Sequence, residues 1–172
     1  MEKYIIFFRG INVGGNNLLP MKVLVPLLEE AGFEKVSSYI QSGNVVLKSS
    51  IHPVEIVHNV VLDNFAFSPE LFILNETEFC SAMANNPYQT FEGKFVHFYF
   101  CHNAIQLNKE KMTKHLAGSE SYLVKENVFY LYAPDGIGRS KLVANIEACL
   151  NQPASGRNLN TTNKVSTMLA KM

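Results

Sequence analysis

Two stretches far apart in the chain, SYIQSGNVV at 38–46 and SYLVKENVF at 121–129, carry the same residue at four of nine positions. Each follows an apolar run of strand character, KYIIFF at 3–8 and KFVHFY at 94–99. A recurring unit constrains a fold more than composition does, because each copy must bury its apolar face in the same way. Between the first run and the first hairpin lies a segment with Met21, Leu24, Leu28 and Ala31 at helical spacing, closed by Gly32. Ser42-Gly43-Asn44 supplies turn chemistry between strands near 35–41 and 44–49. A helix over 53–65, a strand over 71–74 and a helix capped by Asn75 follow. From Lys94 the pattern resumes with a strand at 94–101, a helix near 108–117, two strands at 120–133 and a helix over 139–150. The expected fold is therefore α+β, with two ferredoxin-like halves of β-α-β-β-α-β type produced by internal duplication. The N-terminal half spans 1–75, a connecting helix and loop spans 76–93, and the C-terminal half spans 94–172. In that second half the final strand is expected to be replaced by a C-terminal helix from Thr161 to Lys171.

Composition narrows the function classes. The 172 residues contain 47% apolar side chains and balance 15 basic against 15 acidic groups, which suits a globular core and gives no general polyanion-binding character. Nucleic acid is accordingly not expected as a partner. Tyr4–Phe8 is too short to cross a bilayer, and no signal-peptide core or cleavage site follows it, so a cytoplasmic protein without membrane attachment is expected. Three widely spaced cysteines, Cys80, Cys101 and Cys149, fit reduced buried thiols. No CxxC or HxxxH spacing preorganises a metal, and neither a metal nor a cofactor is expected.

Arginine is scarce, with Arg9, Arg139 and Arg157 against twelve lysines, and each arginine adjoins a glycine. Each also lies in a polar or Gly-rich segment near an expected helix start: RGINVGGNN from Arg9, PDGIGRSK to Lys141, and SGRNLNTTNK to Lys164. Helix N-termini, glycine backbones and forked guanidiniums together suit an oxyanion. The candidate ligand-binding residues are Arg9, Asn12, Gly14, Gly15, Arg139, Ser140, Lys141, Arg157, Asn158, Asn160, Thr161 and Lys164. The same segments also serve as ordinary turns and caps. The first loop follows the order of a P-loop, but Asn16 and Asn17 stand where its Lys and Ser/Thr belong, and no GxGxxG occurs. No catalytic constellation emerges, since Ser140 reads first as an N-cap and the histidines lack acidic companions.

The motifs RGINVGG at 9–15, PM at 20–21, YIQSGNVV at 39–46, NP at 86–87, GRSKL at 138–142 and the RN-N-T segment from Arg157 resemble those of a bacterial family catalogued as a domain of unknown function. The resemblance implies an α+β body of two ferredoxin-like halves and brings no established activity. Members usually carry Lys after the paired glycines and Trp in the last segment, where this chain has Asn16 and Leu159. The combined expectation is a cytosolic protein that binds a small anionic, phosphate-bearing ligand between its halves. The alternatives are a non-catalytic interaction or homo-oligomerising module, and an enzyme acting on a phosphorylated small molecule or nucleotide through Ser140 or Lys141. The oligomeric state stays open at this level.

Overall fold

A computed structural model describes residues 1–172. The chain divides into two compact units, Met1–Ser81 with Lys164–Met172, and Ala82–Asn163. The first unit contains β1 (Glu2–Arg9), α1 (Met21–Glu30), β2 (Glu34–Tyr39), β3 (Asn44–Ser49), α2 (Val54–Phe65), β4 (Glu70–Asn75) and most of α3 (Glu76–Ala84). Its four-stranded antiparallel sheet has the order β2-β3-β1-β4. β1 is interior, and Tyr4 to Phe8 are all buried, as an apolar run without alternation requires. One face of the sheet contributes Tyr4, Ile6, Phe8, Val45 and Leu47 to a core completed by Leu24 and Leu28 of α1 and Val57 and Val61 of α2. Pro26 lies inside α1 and does not end it.

The second unit begins at the end of α3 and continues through a turn at Gly93–Phe95 into β5 (Val96–Phe100), α4 (Lys109–His115), β6 (Ser121–Lys125) and β7 (Val128–Tyr132). Then come α5 (Lys141–Ala144), α6 (Ile146–Leu150), β8 (Ser155–Asn158) and α7 (Leu159–Ala170), whose last turns belong to the first unit. The antiparallel order β6-β7-β5-β8 repeats that of the first sheet. Tyr99, Phe129, Leu131 and Ala133 pack with Met112, Leu142, Cys149 and Leu150 on one face. On the other face Phe98 meets Tyr130 edge-on at 5.2 Å, and the buried Tyr130 hydroxyl donates to the Ala82 carbonyl at 2.6 Å. That bond fixes the end of α3 to this sheet.

Three expectations are corrected. The second sheet keeps its fourth strand: Ser155–Asn158 pairs antiparallel with β5, placing Phe98 opposite Arg157 and Tyr99 opposite Gly156, and α7 is added after it. SGRN has little strand propensity, but pairing with a buried neighbour overrides propensity. The expected helix over 139–150 is two short helices broken at Asn145. Cys101 and Cys149 are buried, whereas Cys80 is exposed.

Gly156 is required by close approach, because a Cβ there would stand 2.8 Å from the buried Tyr99 ring. Replacing Gly156 by Ala should destabilise the fold by about 1–3 kcal/mol through overpacking. Gly118→Ala, where a Cβ meets nothing within 4 Å, should change stability by about 1 kcal/mol or less. Denaturant midpoints of the two variants check the contrast.

Candidate functional site

In the first unit the expected anion loop is occupied by its own bonds. Arg9 pairs with Glu70 across β1 and β4, Nη1 to Oε2 at 3.0 Å. Asn12, at φ 55°, donates its amide to the carbonyls of Leu19 and Gln41 and accepts the Leu19 N–H at 2.7 Å. It thereby brackets the loop after β1 against the β2–β3 connection. Gly14 and Gly15, at φ 59° and 76°, form the tight turn from Val13 to Asn16, closed by an Asn16 N–H to Val13 carbonyl bond at 3.0 Å. Lys164, from α7, lies with Nζ 5.9 Å from the Tyr39 ring centroid.

In the second unit Ser140 caps α5 by accepting the Val143 N–H, and its hydroxyl donates to Glu120 Oε2 at 2.6 Å. A carboxylate therefore stands at this helix start, opposing an anion there. Arg139 and Lys141 are exposed beside it. Arg157 turns back along β8, donating to Ser155 Oγ at 2.9 Å and to the Gly156 carbonyl at 2.8 Å. Burial lowers its pKa to about 10, which leaves it charged at neutral pH. Asn158 and Thr161 are brought together as a cap, with Asn158 Oδ1 accepting the Thr161 N–H at 2.9 Å at the start of α7. Asn160 lies against Gly93, where a Cβ would collide with its side-chain oxygen. The segment after α3 therefore packs directly on the first turn of α7.

The residues that sequence reasoning did not single out lie at that junction. Asn86 is 2% exposed; its Oδ1 accepts the Tyr88 N–H at 2.9 Å, and its Nδ2 has no hydrogen-bond partner. Because the acceptor atom is fixed by a backbone donor, the amide group is oriented unambiguously. Asn86 lines an open-mouthed cavity of about 320 Å³ together with Met83, Ala84, Gln89, Leu159 and Asn163. Leu159 and Asn163 stand one turn apart, so the cavity runs along the first turn of α7 at the positive end of a twelve-residue helix. No carboxylate lines it. A second cavity of about 300 Å³, lined by Leu107, Lys109, Met112, Thr113, Leu116 and Tyr122, contains no such unsatisfied donor. The sequence marked Asn86 only through the NP pair at 86–87, shared with the resembled family and placed at the break that ends α3.

His97 is the other unsatisfied buried group. It is 6% exposed on β5, opposite Asn158, and Nε2 has no partner. Burial lowers its pKa, opposed in part by a bond to the backbone of Lys94. The folded state thus holds the ring neutral, while the unfolded chain binds a proton near the ordinary imidazole value of about 6.5. Its contribution to stability is present above that value and is lost as pH falls below it. Stability should fall between about pH 7 and 5 with a slope of at most about 1.4 kcal/mol per pH unit from this residue. His97→Gln should flatten the curve, as read by unfolding midpoints across that range.

The profile of the family described as "Protein of unknown function (DUF1697)" matches residues 1–130. The matched part includes RGINVGG and the first hairpin and ends before GRSKL and the RN-N-T segment. No curated protein matches the chain at a significant level. Among solved structures, the conserved bacterial protein SP0830 from Streptococcus pneumoniae is similar over 98% of each chain, with a TM-score of 0.68 and 22% sequence identity. That likeness concerns the fold. The chain belongs to the DUF1697 family of unknown function.

Proposed function

We propose, for a member of a family without a described activity, that this chain is a binding protein for a small phosphate-bearing ligand, held in the second unit against the first turn of α7. The observation that carries the proposal is Asn86. A buried amide donor without an acceptor costs about 1–3 kcal/mol, and such a group persists where a ligand or water supplies the missing acceptor. A phosphate oxygen in the cavity is the acceptor proposed, and because the Nδ2 atom is covered in this structure, binding requires the amide to move toward the cavity. The start of α7 adds the positive end of its dipole, and the absence of a lining carboxylate removes the main source of repulsion. Arg9, Asn12, Ser140 and Asn158 support this fold by tying loops and capping helices, so the ligand site here shifts from the arginines to the α7 junction. We read the shared strand order of the two sheets as two ferredoxin-like halves of one duplicated unit acting in the cytoplasm. No helix is long and apolar enough to cross a membrane.

A second reading, as a protein-interaction module, draws on the exposed Val13, Leu18 and Ile40 in the loops that Asn12 ties together. It predicts self-association that Val13→Asp reduces, read by light scattering on a sizing column.

Calorimetric titration with inorganic phosphate and ribose 5-phosphate tests the first reading. Asn86→Asp keeps the oxygen that accepts the Tyr88 N–H, removes the Nδ2 donor and adds negative charge. The titration should give a saturating binding heat for wild type and none for the variant, and unfolding with ligand at about 100 times the wild-type dissociation constant should show wild type gaining about 2.7 kcal/mol of stability and the variant none. Equal binding by both proteins contradicts the proposal.

A further inference from the structure

Apart from the Asn86 cavity, we infer that the free edge of β6 takes an extended acidic peptide of another protein as an added antiparallel strand, with one apolar side chain of the peptide seated between β6 and α4. β6 stands at the end of the order β6-β7-β5-β8. Its five residues pair with β7 in unbroken register, from Ser121 opposite Tyr132 to Lys125 opposite Val128, across a two-residue turn. The closing pair of such a hairpin exchanges hydrogen bonds, so Ser121, Leu123 and Lys125 direct their backbone groups at β7. Tyr122 and Val124 therefore direct theirs outward, and no other backbone group bonds to them. The edge strand β2 of the first sheet differs. It is bulged between Glu34 and Ser37, with Lys35 at φ 53°, and a bulge obstructs strand addition. β6 has neither bulge nor proline.

Tyr122 belongs both to this edge and to the cavity of about 300 Å³ lined by Leu107, Lys109, Met112, Thr113, Leu116 and Tyr122. By strand alternation Tyr122 and Val124 point to the face that carries Phe129 and Met112. The Tyr122 ring lies flat on Phe129, with centroids 5.3 Å apart and planes 7° from parallel, which holds that wall in place. A residue of an added strand set opposite Tyr122 exchanges backbone bonds with it and turns its side chain to the same face, hence toward the cavity. Backbone pairing then supplies affinity and the cavity selects the side chain. Leu107, Met112, Leu116 and Tyr122 suit a leucine-sized group. Lys109 is the one charged residue of the lining, and α4 carries Lys109, Lys111 and Lys114 against Glu110. The Glu120 carboxylate just before β6 is already engaged by the Ala117 N–H and the Ser140 hydroxyl. Carboxylates two residues to either side of the apolar one share its face and complement these lysines. A second copy of this chain fits less well. Matching Tyr122 of one copy to Val124 of the other sets Glu120 opposite Glu126 at both ends, with like charges facing each other.

The test follows the fluorescence anisotropy of a labelled heptapeptide, Ser-Glu-Thr-Leu-Thr-Glu-Ser, mixed with the full chain. Four altered peptides accompany it: alanine for the leucine, lysine for both glutamates, and an N-methyl group on the leucine or on the threonine after it. In an antiparallel strand opposite Tyr122 the leucine N–H faces β6 and the threonine N–H faces away. The alanine, lysine and N-methyl-leucine peptides should each bind about tenfold more weakly or worse, and the N-methyl-threonine peptide should match the parent. Lys109→Glu, at an exposed position, should narrow the preference for glutamate over lysine peptides. Equal binding of the two N-methyl peptides overturns strand addition, and equal binding of the glutamate and lysine peptides overturns the acidic assignment. No binding of the parent peptide overturns the site. Val124→Pro removes an outward N–H and no ladder bond. A dimer on a sizing column that this variant dissociates gives the edge to a second copy and overturns the peptide assignment.

Discussion

The pairing of β8 with β5 is the contact on which the second unit's candidate site depends. Gly156 lets the strand pass over the Tyr99 ring, and the register then sets Asn158 opposite His97. From that position Asn158 ends the strand and caps α7 in the same residue, so no loop separates sheet from helix. The first turn of α7 is thereby held against the segment after α3, with Asn160 on Gly93 and Leu159 beside the cavity of Asn86. The Tyr130 hydroxyl anchors the other wall through Ala82. A one-residue slip of β8 would exchange the two faces of the strand and remove the cap from its place.

The two unsatisfied polar groups gather at this end of the sheet. Asn86 and His97 are both buried, and each lacks a partner on one nitrogen. His97 stands opposite the residue that caps α7, and Asn86 lines the cavity along the same turn. Buried donors and acceptors are otherwise paired in folded proteins, so these two exceptions near one junction are the groups on which the proposed ligand site rests. The Gly-rich loop after β1 presents the opposite case. Its asparagine satisfies three backbone groups and its arginine faces a glutamate, leaving a braced loop with exposed apolar tips.

The elements legible in the sequence were those whose apolar pattern is strong. KYIIFF became the interior strand of the first sheet, and the stripes of α1 and α2 became its covering face. β8 was not legible, because Ser, Gly, Arg and Asn carry no strand signal and the pairing comes from a neighbour about sixty residues away in sequence. The hairpins show a subtler limit. Tyr39 pairs with Asn44 at the end of its hairpin, whereas Tyr122 pairs with Leu131 well inside the other one. Identical residues in the two stretches therefore sit at different registers, set by turns of different length. For the site, the Ser140 cap was readable as a residue type, whereas Asn158, expected as a ligand contact, caps α7. Asn86 was not readable, because an unpaired amide is a property of packing rather than of local sequence.

The most direct measurement is a nuclear magnetic resonance titration that follows the side-chain amide protons of Asn86 as inorganic phosphate is added to the full chain. The account predicts that the Asn86 Nδ2 resonances and the backbone amides of Leu159 and Asn160 shift together and saturate with one dissociation constant, while the Asn12 side-chain amide stays in place. Unmoved Asn86 resonances, with shifts confined to the loop from Gly10 to Asn17, would contradict it.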